Sequence, residues 1–287
     1  MRFRVRIAPI VLAWGAAMPA FAASDKLLLT GGVSQLEGAA GGGLTPWAVI
    51  AGYGTRDQIG ASAFYTQVRS QDYGLGVSGI AVGIRDRLEL SYAHQSFDTR
   101  DVGGALGLGN GFSFNQEIFG AKLRLLGDAV LEQDSWLPQI AIGLQHKRND
   151  QGAVLHAIGA KKDHGTDFYV AATKLFLDQS LLANLTLRET KANQFGILGF
   201  GGDLKDRYTT QFEGSLAYLL RRDLAVGVEY RTKPDNLGIA REDKAYDAFL
   251  AWQPVKNVAV TLAYANLGNI VIKDNQRATY LSVQLGF

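Results

Sequence analysis

Apolar residues recur at every second position through most of this chain. In RLELSYAHQ (87–95), Leu88, Leu90 and Tyr92 alternate with small or polar residues, and DLAVGVEYRTK (223–233) repeats the pattern. A period of two places successive side chains on opposite faces of a β-strand. The pattern therefore predicts an all-β fold whose strands are apolar on one face and polar on the other.

The polar face of these strands carries Gly, Ala, Ser, Thr, Gln and single charges, which is a poor composition for the packed core of a soluble sandwich. Aromatic residues gather near the predicted strand ends, at Trp47, Tyr53, Tyr65, Trp136, Tyr230, Trp252 and Tyr264. An apolar outer band, aromatic girdles and a polar interior are typical of a transmembrane antiparallel up-and-down β-barrel. A soluble β-sandwich is the alternative, because amphipathic strands occur in both classes.

Residues 1–22 show the three-part pattern of a secretory signal peptide. Arginines alternate in RFRVR (2–6), an apolar run follows, and Ala20-Phe21-Ala22 places small residues where a signal peptidase cleaves. The apolar run is shorter than the roughly 20 residues of a membrane-spanning helix, which disfavours a retained anchor. We predict cleavage near Ala22, with residues 23–287 forming one outer-membrane β-barrel.

Composition excludes several classes of function. Loss of the three arginines of the leader leaves 26 basic residues against 27 acidic ones, so the mature chain has no basic field for nucleic acid. The absence of cysteine excludes disulfides, thiol catalysis and cysteine-ligated metals. The spacing of His146, His156 and His164 forms no metal-binding face. We expect neither a metal nor a cofactor.

Short breaks alternate along the chain with longer polar or glycine-rich breaks, as periplasmic turns alternate with extracellular loops in outer-membrane barrels. With both termini in the periplasm, the number of strands must be even. Counting KLLLTGGVSQLE (26–37) as the first strand predicts about fourteen strands. If this segment instead fills the lumen as a plug, about twelve strands remain.

The glycine-rich stretch GAAGGGL (38–44) is the second unusual feature of the sequence. Gly41, Gly42 and Gly43 can take positive φ angles and let other backbone approach closely. They predict either a hairpin that folds into the lumen as a plug or constriction, or a simple flexible loop. A phosphate-binding loop is a weaker third interpretation, since the Lys-Ser/Thr pair of such loops is missing.

The chain ends on TYLSVQLGF (279–287), a strand with an aromatic last residue. Leu281, Val283, Leu285 and Phe287 lie on one face of it. This pattern resembles the C-terminal signal that the barrel-assembly machinery of Gram-negative bacteria recognises. The resemblance implies that machinery as a partner during biogenesis, and outer-membrane lipid and lipopolysaccharide as the surroundings of the folded chain.

The segment LTGGVSQLEGAAGGGLTPWAVIAGYGTRDQIG (29–60) resembles the opening of a family of uncharacterised proteobacterial outer-membrane β-barrel proteins. The resemblance continues through the predicted strands to Phe287. It implies the barrel fold and an outer-membrane location, but it brings no established activity.

Charged residues on the inward side of the predicted strands are the candidates for lining the lumen. They are Glu89, Lys122, Arg124, Lys147, Arg188, Glu213, Glu229, Arg231 and Asp247. Charges at membrane depth persist where they face water or each other. These residues therefore predict one of two interiors. Either acidic and basic sides face each other across an open pore and set up a transverse electric field, or paired charges close the lumen. They form no ring of one sign, so no ion selectivity is predicted.

Two classes of function fit these features. The first is a passive channel or transport barrel for small solutes, and the second is a non-conducting structural or interaction barrel of the cell envelope. An outer-membrane lipid hydrolase is a minor alternative, because His94 and Ser96 share one face of a strand. The sequence HQSFD lacks the His-x-Ser-Asn-Gly signature of such phospholipases, so we expect no catalytic residues and no enzyme.

Overall fold

Twelve antiparallel strands form a closed barrel in the computed structural model, which describes Leu29, residues 32–130 and residues 132–287. The predicted signal peptide lies outside the described residues. Two short strands, β1 (Val33–Ser34) and β2 (Ala40–Gly41), precede the barrel. The wall is formed by β3 (Ile59–Ser70), β4 (Gly74–Ile84), β5 (Leu88–Asp98), β6 (Ser113–Leu126), β7 (Gln139–Asn149), β8 (His164–Phe176), β9 (Leu181–Thr190), β10 (Thr209–Arg221), β11 (Leu224–Arg231), β12 (Ala245–Val255), β13 (Val258–Asn266) and β14 (Arg277–Gly286).

Every wall strand pairs with its neighbours in sequence, and the last strand closes the barrel on the first. Ser282 on β14 lies opposite Thr66 on β3, and their hydroxyl groups are 2.7 Å apart inside the barrel. Closure leaves no free sheet edge, so the backbone polar groups of the wall can be satisfied without water. The predicted up-and-down barrel is thereby confirmed.

The preferred count of fourteen strands is wrong, and the alternative of twelve is correct. Of the described residues of KLLLTGGVSQLE, Val33 and Ser34 form β1, which pairs with β2 rather than with the wall. Residues 33–51 are buried without interruption, whereas a wall strand alternates between a buried and an exposed face. This segment therefore has no lipid-facing side and lies inside the barrel.

The face assignment made from the sequence holds in the wall. Val228 on β11 is 51% exposed and points outward, whereas the next residue, Glu229, is 2% exposed and points inward. The same alternation gives an outer surface rich in leucine, valine and aromatic residues. Such a band is stable against hydrocarbon and unfavourable in water.

Six connections lie at the end of the barrel opposite Phe287, and they pack together over its mouth. They carry the helices α1 (Arg100–Ala105) and α2 (Gly152–Ala157) and a 3₁₀-helix, Asn193–Gly196. Each connection contributes to one apolar cluster, with Tyr73, Val102, Leu155, Leu198, Leu237 and Ile270 as representatives. We call these six connections the loop cap. No helix in the described part of the chain is long and apolar enough to cross a membrane.

Candidate functional site

Residues 32–58, which we call the lumenal segment, run up the inside of the barrel and back. Just before the segment, the Leu29 N–H donates to Gln253 Oε1 (3.0 Å) at the short-turn end of the wall. Near the loop cap, Gln95 Nε2 donates to the carbonyl oxygen of Leu36 (2.8 Å). The Tyr53 N–H then donates to the carbonyl oxygen of Phe287 (2.9 Å), back at the short-turn end. The segment thus spans most of the lumen as a hairpin.

The predicted glycine run lies within this hairpin, and close approach is what requires glycine there. A Cβ on Gly41 would collide with the backbone of Thr45, Pro46 and Trp47, and one on Gly42 would collide with the Glu229 carboxylate. None of Gly41, Gly42 and Gly43 has a positive φ angle, so that part of the sequence argument is wrong. Of the two main interpretations, the structure shows the hairpin in the lumen.

Five charged side chains of alternating sign form a row across five adjacent strands of the inner wall. We call this set the charge row: Lys147 on β7, Asp167 on β8, Arg188 on β9, Glu213 on β10 and Arg231 on β11. Lys147 Nζ lies 2.7 Å from Asp167 Oδ2, and Arg231 Nε lies 3.1 Å from Glu213 Oε1. All five side chains are buried, so each charge depends on its neighbours for stabilisation.

Glu37 of the lumenal segment completes the charge row. Its carboxylate pairs with Lys147, lies 2.9 Å from Arg231 Nη1 and lies 3.5 Å from Arg188 Nη2. The row alone holds three cations and two anions, and Glu37 makes the buried network electrically balanced. Burial disfavours an unpaired carboxylate, so Glu37 depends on these three cations as they depend on it.

A second ion pair of the wall binds the backbone of the lumenal segment. Lys122 Nζ lies 3.1 Å from Glu89 Oε1. The same ammonium group donates to the carbonyl oxygens of Ala40 (2.9 Å) and Val49 (2.8 Å). Glu89 accepts from the N–H groups of Ala40 (3.1 Å) and Ala51 (2.9 Å). One wall pair thus contacts both arms of the hairpin.

The third contact region is acidic. Glu229 accepts hydrogen bonds from the Leu44 N–H (2.7 Å) and the Thr45 hydroxyl (2.7 Å). Thr45 Oγ1 also lies 2.5 Å from Ser215 Oγ on β10. Asp247 is the direct neighbour of Glu229 across β11 and β12, and its Oδ1 has no hydrogen-bond partner among the described residues. Within the described residues, neither carboxyl group forms an ion pair with a basic side chain.

The structure brings eight of the nine predicted lumen-lining residues into the barrel interior. Arg124 is the exception, because it lies half-buried at the short-turn end and pairs with Asp86 and Asp128. Sequence reasoning missed Glu37, although one signal marked it. It is the one charged residue between Lys26 and Arg56, and an isolated charge in an apolar stretch needs a buried partner.

The residues of the hydrolase alternative and of the C-terminal signal lie on the outside. His94 and Ser96 are half-buried on the outer face of β5, and no hydrogen bond between described residues joins them. Leu281, Val283 and Leu285 face outward on β14. No group of three or more His, Cys, Asp or Glu side chains among the described residues is arranged to hold a metal ion.

Solved structures of porins share this barrel fold. The KdgM porin aligns with a TM-score of 0.52 at 13% identity, over 79% of this chain and 99% of that chain. The NanC porin aligns with a TM-score of 0.51 at 9% identity, over 78% of this chain and 98% of that chain. At such low identity these similarities establish the fold alone, and the fold is that of the porin-like outer-membrane β-barrels.

The chain belongs to the family described as protein of unknown function (DUF3034), whose family model matches residues 30–284. The match includes the whole lumenal segment and nearly the whole barrel wall. A search by sequence among curated proteins finds no match.

Proposed function

We propose that this protein is a passive channel for small solutes in the outer membrane of a Gram-negative bacterium, and that the lumenal segment is its gate. The observation that supports this most directly is the division of the charge network. The wall supplies three cations and two anions, and the missing anion comes from Glu37 on a separate segment. If the lumenal segment left the lumen, the inner wall would expose charged side chains that water can hydrate.

The composition of the wall supports a lumen that opens. A barrel that stays closed needs no buried ion pairs, because well-packed apolar side chains of similar volume are often as stable or more stable. Twelve strands also enclose more space than wall side chains fill, whereas eight strands do not. Here the interior is polar, and the space is filled by a hairpin joined to the wall through hydrogen bonds and ion pairs.

The fold agrees with this function, since KdgM and NanC are porins with the same barrel architecture. KdgM is also described in complex with disordered oligogalacturonate, a ligand of that protein. The lumenal segment, the charge row and Glu37 are features of this chain, and the chemistry of its solute has to be sought in its own interior.

A non-conducting envelope barrel is the second candidate, and the loop cap favours it. The cap closes the mouth with an apolar cluster to which all six connections contribute. In the conformation described, both the lumen and its mouth are filled. A structural barrel would keep this conformation permanently, whereas a channel would leave it during conduction.

A disulfide lock distinguishes the two functions. The Thr45 and Ser215 hydroxyl oxygens are 2.5 Å apart, so cysteines at these positions are close enough for a disulfide after a small adjustment. The natural chain has no cysteine that could interfere. In planar bilayers, we expect discrete conductance steps from the wild type, none from oxidised Thr45→Cys/Ser215→Cys, and recovery of the steps after reduction.

The matched control joins two wall strands without touching the lumenal segment. Thr66 Oγ1 and Ser282 Oγ lie 2.7 Å apart inside the barrel, and Thr66→Cys/Ser282→Cys should conduct in both redox states. Silence from a correctly folded wild type would contradict the channel and favour the structural barrel. Steps that persist in the oxidised lock would show that the lumenal segment is not the gate.

Assembly at the outer membrane gives a further prediction, based on the C-terminal resemblance. The Phe287 side chain is 40% exposed, and its backbone N–H bonds to Ala61 O at 2.8 Å, a contact that a side-chain substitution spares. We expect Phe287→Ala to lower the fraction of heat-modifiable barrel in outer membranes several-fold without changing stability after refolding in detergent. Leu262→Ala, at an outward position, is the control. Equal assembly of the two variants would argue against an assembly signal.

A further inference from the structure

A small cavity lies between the tip of the lumenal segment and the loop cap. Its volume is about 40 Å³. Leu36 forms its floor, Val68 and Phe97 come from the wall, and Tyr73, Leu198 and Ile270 come from the cap. The cavity thus lies where a solute entering through the mouth would first meet the closed hairpin.

The lining of this cavity is almost wholly apolar, and its Tyr73 and Gln194 side chains already have hydrogen-bond partners. The Tyr73 hydroxyl donates to the carbonyl oxygen of Ile270 (2.9 Å). Gln194 Nε2 donates to Glu242 Oε2 (2.7 Å), and Glu242 is also paired with Lys233 at 2.9 Å. No charged residue lines the cavity among the described residues. A site of this kind rejects ions and strongly hydrated solutes and favours apolar groups.

The backbone that forms one side of the cavity is held in an uncommon conformation. Gln194 and Phe195 have φ angles of 45° and 61°, a left-handed region that non-glycine residues rarely adopt. Such strain persists where the surrounding structure imposes it and is often associated with ligand contacts. The position of these two residues is therefore maintained by their contacts.

Phe195 connects the cavity to the charge row. Its ring lies 4.3 Å from the Arg231 guanidinium carbon, and its carbonyl oxygen accepts from Lys147 Nζ (3.0 Å). Both cations also pair with Glu37. A molecule in the cavity would therefore contact both Leu36 on the hairpin and Phe195. Phe195 in turn contacts two of the cations that hold the hairpin in place.

We propose that this cavity is the recognition site for a small apolar solute, such as a short hydrocarbon of a few carbon atoms, which the channel admits. The inference rests on the proposed channel function and names its class of substrate. The volume corresponds to roughly three water positions and suits one compact apolar group rather than a sugar or a long acyl chain.

Binding is tested directly with xenon, a compact apolar probe that enters dry apolar cavities. The full mature chain in lipid nanodiscs, with ¹³C-labelled isoleucine and leucine methyl groups, is titrated with dissolved xenon and followed by NMR. We expect saturable shifts at Leu36, Leu198 and Ile270, and linear, non-saturating shifts at the lipid-facing Leu262. Shifts without saturation at the three lining residues would overturn the proposal.

Two variants that reduce the cavity provide the specificity test. Leu267→Phe and Val68→Ile both add volume at lining positions, and each should weaken xenon binding at least ten-fold. Leu262→Phe makes the same change as the first variant on the outer surface and should leave binding unchanged. Unchanged affinity in both lining variants would contradict the assignment.

Different experimental outcomes would disprove the channel function and the apolar recognition site. Saturable binding without conductance steps would remove the channel and leave an apolar ligand site. Conductance without saturable binding would remove the apolar solute class and leave the channel.

Discussion

Glu37→Gln is expected to release the lumenal segment from the charge row. The substitution keeps the shape of the side chain but leaves three buried cations facing two anions. Leaving a buried charge without its partner typically costs about 3–5 kcal/mol. Because the cost falls on the closed conformation, the population with the segment displaced should rise roughly 100-fold or more.

The measurement combines hydrogen exchange of the lumenal segment with planar-bilayer recording. Amides of residues 33–51 should lose protection, and open steps should become more frequent, while exchange in the wall strands stays unchanged. Glu117→Gln makes the same chemical change at an exposed outward position and serves as the control. Unchanged protection in Glu37→Gln would show that the ion pairs do not hold the segment.

A compensating variant sharpens this test. Adding Lys147→Met to Glu37→Gln leaves Arg188 and Arg231 facing Asp167 and Glu213, so the remaining network is again balanced. The double variant should therefore recover much of the lost protection, and the coupling between the two positions should be of the order of 0.5–3 kcal/mol. Simple additivity of the two substitutions would contradict a shared network.

Gly41→Ala is expected to displace the hairpin by steric conflict. The added Cβ would lie 2.8 Å from both Pro46 Cα and Trp47 N, and neither backbone atom can rotate away. Forcing extra atoms into packed structure costs about 1–3 kcal/mol, and contact with backbone places this case at the upper end. The segment should lose exchange protection, and conductance should increase without any change of charge.

Gly43→Ala is the matched control for this substitution. Its Cβ would lie 3.4 Å from Glu229 Oε2 and 3.5 Å from the Tyr280 ring, which are ordinary contacts. We expect wild-type protection and conductance from Gly43→Ala. Equal effects of the two substitutions would show that glycine serves flexibility throughout this run rather than close approach at one position.

The wall of the barrel was largely predictable because its signal is local and repeated. Alternation assigned Glu89, Glu229 and Arg231 to the inner face and Leu90 and Val228 to the outer face, as observed. Each assignment needs only neighbouring residues and the two-residue period of a strand. An error in any one strand leaves the others unaffected, so the fold class was securely predicted.

The strand count failed in the lumenal segment, where local patterns are ambiguous. KLLLTGGVSQLE alternates well enough to resemble a wall strand, but its residues 33–37 are buried without interruption inside the barrel. Glycine runs allow both a flexible loop and a packed hairpin. The glycines of this run are required by the close approach of Thr45 and Glu229, contacts that no pattern in the sequence indicates.

The sequence by itself determined a closed barrel with an apolar exterior and a charged interior, because strand period and residue chemistry are properties of short segments. The tertiary structure alone decided how that interior is filled. Glu37 meets Arg231 across 194 positions of sequence, and Leu44 meets Glu229 across 185. Such pairings form only when the barrel closes around the segment. The local sequence around one partner therefore does not indicate which residue the other partner is.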